Sequence, residues 1–136
     1  MKKGAACLFL GLFLSQCAPS ASVSTPSPVG RWEQLGVRRV TYDAAGQLLA
    51  DEYNENAPGS VWLELTANSK VYLWHNGFAK PTGTMYIYRA DTLRFRDTLN
   101  GETLHPITVL SRHRLIYQTH KQENAGTEDA TFMYRR

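Results

Sequence analysis

The residues with chemistry to offer in this 136-residue chain are four histidines, two cysteines and a scatter of carboxylates and guanidiniums. His75, His105, His113 and His120 form neither an H-E-x-x-H helix nor a tight ligand spacing, so no metal is expected. His113 lies between Arg112 and Arg114, where solvation accounts for it. Asp51 and Glu52 are adjacent and, on a strand, point to opposite faces, so they do not form a carboxylate pair. There is no G-x-S-x-G elbow, and no base and nucleophile can be placed together. The expectation is a non-catalytic protein without a cofactor. Arg94 and Arg96, with Arg112 and Arg114, read as a solvated outer face; the functional alternative is contact with anionic headgroups or an acidic polymer.

The cysteines concern address rather than reactivity. Lys2 and Lys3 precede an apolar run, Ala5 to Leu14, which has the layout of an export signal and is too short to cross a ~30 Å hydrocarbon core. Cys7 lies in that run and leaves with it, so Cys17 remains alone and cannot close an internal disulfide. Leu14-Ser15-Gln16-Cys17 resembles the lipobox of bacterial lipoproteins, from which Gln16 departs because the family has a small residue there. The resemblance implies that residues 1–16 are a signal peptide and that Cys17 is the lipid attachment site, anchoring the chain to a membrane of the bacterial cell envelope. Cleavage after Ser20, giving a secreted or periplasmic soluble protein, is the alternative. Residues 17–28 are rich in Ser, Thr and Pro and uncharged, and read as a disordered tether. Without Lys2 and Lys3, 13 basic residues face 12 acidic ones, a net charge of +1 in place of +3. So even a balance does not suit a nucleic-acid binder.

Residues 29–136 fit one domain, expected as a monomer. Short β-branched and aromatic runs place strands at 31–42, 48–53, 61–66, 71–75, 84–88, 92–99, 107–110, 114–120 and 131–135. The intervening turns and loops are DAAG, NENAPG, ANS, NGFAKPTG, RAD, Asn100-Gly101, SRH and KQENAGTED, with Asn100-Gly101 the strongest hairpin signal. Val61, Leu63 and Leu65 alternate with polar neighbours, as do Leu93 and Phe95 with Arg94 and Arg96, so one face is packed and the other wet. Sequential hairpins without helices predict an all-β fold, a small up-and-down antiparallel barrel of about eight strands.

Gly30-Arg31-Trp32 resembles the Gly-x-Trp of lipocalins, and the texture from VGRWEQL to TFMYRR is similar to bacterial lipocalin-like domains of small lipoproteins. The resemblance departs at Gln34, where an inward aliphatic residue is usual, and in the count of nine strands. Pro106, which cannot donate to a ladder, makes 103–110 the weakest strand and the expected place for a break. The resemblance implies that Trp32 closes one end of the barrel under an arginine, Arg135 or Arg136, and that a small hydrophobic ligand occupies the interior. Candidate lining residues are Leu63, Leu73, Ile87, Phe95 and Phe132. A barrel of this size is equally compatible with a solid core, which would make it a protein-interaction module, an inhibitor or assembly accessory. In a nine-strand meander the loops NENAPG, NGFAKPTG and KQENAGTED fall at the end where the first strand begins, and the short turns DAAG, ANS, RAD and SRH at the other. The resemblance places the mouth at the end away from Trp32.

Overall fold

The computed structural model describes residues 26–89, 91–97 and 101–136. The expected signal peptide, Cys17 and the expected tether as far as residue 25 lie outside the described residues, as do Ala90 and Asn100 of two expected turns. The strands are β1 (Gly30–Asp43), β2 (Leu48–Glu55), β3 (Val61–Leu65), β4 (Lys70–His75), β5 (Phe78–Arg89), β6 (Thr92–Asp97), β7 (Gly101–Leu110), β8 (Arg114–Glu123) and β9 (Gly126–Arg135). Every pairing is antiparallel, and β9 returns to β1 over Asp43 to Glu33, closing the sheet into an up-and-down, lipocalin-like barrel.

Nine strands make an eight-position barrel because β2 and β3 share one position. The edge of β1 opposite β9 carries β3 along Gly30–Glu33 and β2 along Gly36–Tyr42, both antiparallel to β1. The chain therefore runs in one direction from Leu48 to Leu65, and the turn-rich stretch around Asn56 to Ser60 is a bulge rather than a reversal. Asn56 N still donates to Leu35 O at 2.9 Å, and Gly59 N donates to Glu33 Oε1 at 2.6 Å. Gly36 sits under this junction: a Cβ there would lie 2.5 Å from Tyr53 Oη and 2.7 Å from Asn54 O. The extra strand is thus accounted for at NENAPG, and β7, with Pro106, is a full ten-residue strand.

Removing that reversal changes which turns share an end. The turns at 66–69 and 111–113 lie with the start of β1: Gly30 pairs with Leu65, and Arg136 N donates to His113 O at 3.2 Å. The Arg89–Thr92 connection joins them, because Tyr86 N donates to Ser69 O at 2.9 Å. The opposite end carries 43–47, the paired Asp97 and Gly101 of β6 and β7, and the turns at Asn76-Gly77 and after Glu123. NGFAKPTG is thus not a loop: Asn76 (φ 49°) and Gly77 (φ 84°) form a two-residue turn, and Phe78 pairs at once with His75.

The end where β1 begins is solid. Trp32, Leu63, Leu65, Val71, Tyr86, Leu93, Leu115, Tyr117 and Tyr134 form one buried cluster. Trp32 is 0 % exposed, and its Nε1 donates to Pro28 O at 2.7 Å, so Pro28 is packed against the barrel. The guanidinium carbon of Arg136 stands 3.8 Å from the Trp32 ring centre. A Cβ on Gly30 would approach that guanidinium to 2.8 Å, a physical reason for glycine two residues before the tryptophan. The arginine over the plug is therefore Arg136 and not Arg135. Tyr134 faces inward, so its neighbour Arg135 faces outward, where its Nε donates to Glu33 Oε2 at 2.7 Å.

Candidate ligand cavity

Above the Trp32 cluster the interior is hollow. A stretch of aromatic rings forms the floor: Tyr117 stacks on Phe132 with centres 5.0 Å apart and on Tyr134 at 5.5 Å, while Phe95 lies 6.1 Å from Tyr117, edge-on. The Tyr117 and Tyr134 hydroxyls are 2.9 Å apart, and Gln34 Nε2 donates to Tyr134 Oη at 3.0 Å. Asn56 Nδ2 in turn donates to Gln34 Oε1 at 3.0 Å, so Gln34 completes a polar chain that an aliphatic side chain could not. Burial pushes the Tyr134 hydroxyl up to about 12 and raises the Tyr117 hydroxyl well above its ordinary value, so both stay neutral.

The cavity over this floor measures about 330 Å³ and is lined by Val71, Leu73, Thr82, Thr84, Phe95, Gly101, Thr103, His105, Tyr117 and Phe132. None of its described lining residues is an aspartate, glutamate, lysine or arginine. Three of its polar groups are occupied within the wall: Thr82 Oγ1 donates to Val71 O at 2.8 Å, Thr84 Oγ1 to Thr82 O at 3.4 Å, and Tyr117 bonds Tyr134. Gly101, at the start of β7, lines it and Leu73 is 44 % exposed, so it opens at the end opposite Trp32.

Of the five lining residues expected from the sequence, Leu73, Phe95 and Phe132 line the cavity. Leu63 belongs to the packed cluster below it. Ile87 is on the outside, 48 % exposed, because the buried Tyr86 fixes the parity of β5. The pairing of β4 with β5 jumps from Tyr72↔Pro81 to Lys70↔Met85, but the two extra residues on β5 are an even number, so Thr82, Thr84 and Tyr86 keep to the inner face and Ile87 to the outer one.

The wall of the hollow half is split. β7 and β8 pair only through Ile107↔Tyr117, Val109↔Ile116 and Leu110↔Leu115. Beyond that point Gly101–Pro106 pair with β6 alone and Gln118–Glu123 with β9 alone. The break falls beside Pro106, whose nitrogen has no proton to offer a ladder. A cleft of about 770 Å³ lies in the gap, walled by Glu102–Pro106, Gln118–Lys121, Glu128 and Asp129.

His105 borders both hollows. Its ring centre is 4.6 Å from Phe95 and 5.4 Å from Tyr117, and Nε2 lies 2.8 Å from Thr103 Oγ1. Nδ1 is shielded and has no hydrogen-bond partner, alone in this among the buried side-chain atoms described. Burial lowers the imidazole to about 4, so it is neutral near pH 7. The other histidines are exposed; His120 Nδ1 pairs with Asp129 Oδ1 at 2.6 Å. Arg94 and Arg96 both reach Glu102, at 3.4 and 3.1 Å, and Arg112 and Arg114 are exposed.

Sequence reasoning passed over Glu33, which is 8 % exposed and holds both Arg135 and the bulge at Gly59. Those two hydrogen bonds hold its carboxyl below the usual range. A single glutamate beside Trp32 and Gln34 carries no signal of burial. The outer face also stacks Arg31 between Trp62 and Trp74, 4.8 and 4.3 Å from their centres, with Trp74 Nε1 donating to Glu64 Oε2 at 2.8 Å. No protein-family model, curated protein or solved structure matches the chain.

Proposed function

We propose that this protein is a lipid-anchored carrier or sensor of the bacterial cell envelope, related to lipocalin-like lipoproteins, whose barrel binds a small hydrophobic ligand without catalysis. One observation carries the reading: an uncharged, aromatic-floored cavity of about 330 Å³ above a fully packed plug. That volume is at the lower end of small-molecule pockets, which run from ~300 to 1,000 Å³. The apolar walls supply the driving force, ~25 cal/mol per Å² of apolar surface removed from water. Anchoring at Cys17 sets the plugged end toward the membrane, since β1 follows the tether directly, and turns the mouth away from it.

Two measurements test this. Cys17→Ser should move the protein from the membrane fraction to the soluble envelope fraction, and an intact mass showing an unmodified N-terminus beyond Cys17 would remove the anchor. An apolar fluorescent reporter should bind the Cys17→Ser chain in a blue-shifted, saturable way, and Thr84→Phe, which fills the cavity, should abolish the signal. A reporter signal unchanged by Thr84→Phe would place binding elsewhere.

A further inference from the structure

The interior cavity and the β7–β8 cleft differ in character and share a boundary at Thr103 and His105. We propose that the split between β7 and β8 is the head-group site of a single-chain amphiphile with an uncharged, hydroxyl-bearing head. Its tail lies in the interior cavity and passes to the cleft beside Thr103 and His105. This rests on reading the interior cavity as an apolar ligand site.

The tail is limited to one chain by the small inner volume and by the aromatic floor, which blocks further descent toward Trp32. The head is specified by the walls of the cleft. Glu102, Glu128 and Asp129 face it, and the one lysine on its described walls, Lys121, is already held by Glu123 at 2.6 Å, so an anionic head meets carboxylates and no uncommitted lysine. A cationic head gains little, because each carboxylate is already engaged: Glu102 by Arg94 and Arg96, Glu128 by Arg39 at 3.9 Å, Asp129 by His120. Hydroxyls remain well matched, since a paired carboxylate keeps free lone pairs. They also suit the two facing strand edges, 101–106 and 118–123, where the ladder's end leaves backbone N–H and C=O groups without a strand partner. His105 Nδ1, shielded at the boundary, is a further polar atom that a nearby hydroxyl would satisfy.

The test uses the Cys17→Ser chain and three probes with one ten-carbon tail: monodecanoylglycerol, decanoate and decyltrimethylammonium, each titrated below its micelle concentration against the bound reporter. Monodecanoylglycerol should bind about tenfold or more tighter than either ionic probe, the worth of one or two net hydrogen bonds. Thr119→Trp, which crowds the cleft without lining the interior, should weaken monodecanoylglycerol by a similar factor and leave the reporter unaffected. Should Thr119→Trp lose the reporter through misfolding, Lys121→Trp, at an exposed position on the same wall, repeats the measurement. Equal or tighter binding of an ionic probe, or indifference of monodecanoylglycerol to the cleft variants, would overturn the head-group site while leaving the cavity intact. Failure of the reporter and all three probes would overturn the cavity reading itself.

Discussion

Leu93 and Leu73 are the same residue in two halves of one barrel, and truncating each should separate a packed interior from a hollow one. Leu93 is 0 % exposed within the Trp32 cluster, so Leu93→Ala removes its transfer free energy and leaves a void, about 2–5 kcal/mol in total. Leu73 is 44 % exposed and faces the cavity. About half of a full leucine burial is at stake there, roughly 1 kcal/mol, and no new void forms because the space joins one already present. The difference of about 2 kcal/mol corresponds to a midpoint difference of about 1 M urea, with slopes of about 1–3 kcal/mol/M. Urea melts followed by tryptophan fluorescence, with unchanged slopes, would measure it. Equal losses in the two variants would mean that the upper half closes into a solid core and would refute the division.

Trp32→Ala should cost about 3–5 kcal/mol, whereas Arg136→Ala should cost about 0.5–2 kcal/mol and shift the indole emission, with Arg135→Ala leaving that emission unchanged; thermal melts and fluorescence read both. Because the folded His105 titrates below its unfolded value, the unfolded chain binds the extra proton between about pH 6.5 and 4. Stability should therefore fall as pH drops through that window, by at most about 1.4 kcal/mol per pH unit, and His105→Phe should flatten the fall in pH-dependent melts. Glu33 also has a lowered folded pKa, so its contribution is present above its unfolded value and lost on further acidification. The stability gap between wild type and Glu33→Gln should accordingly shrink only at acid pH, and a gap independent of pH would show that the Arg135 and Gly59 bonds do not discriminate the charged form.

Period-two alternation made the fold legible, because a strand with one buried face records that face in its sequence, as Val61-Trp62-Leu63-Glu64-Leu65 does. The break in the wall was legible for a similar reason, since Pro106 cannot donate to a neighbour. What the sequence hid were the connections held by distant partners and the choice of inward face where both faces are apolar. NENAPG has the composition of a reversal but is held in line by Asn56 and Glu33, tertiary partners no local pattern reveals. That one misread connection reversed the end assigned to every later turn, from the one at 66–69 to the one after Glu123. In Met85-Tyr86-Ile87-Tyr88 both faces are apolar or aromatic, so alternation does not say which is inward, and Ile87 lies outside; inward Tyr134 gave the plug to Arg136. The cavity's lining was legible at Leu73, Phe95 and Phe132, whereas Leu63 also points inward but lies lower, in the packed cluster. The cleft was not legible at all beyond its hinge at Pro106, because the residues that wall it are polar and locally unremarkable.

The most direct measurement is native mass spectrometry of the protein extracted gently from its own membrane. One bound molecule per chain, with the mass of a single-tailed uncharged lipid and lost in Thr84→Phe, is the expected result. A spectrum containing only the unliganded chain at every extraction condition, or an added mass that survives Thr84→Phe, would contradict a ligand in the barrel.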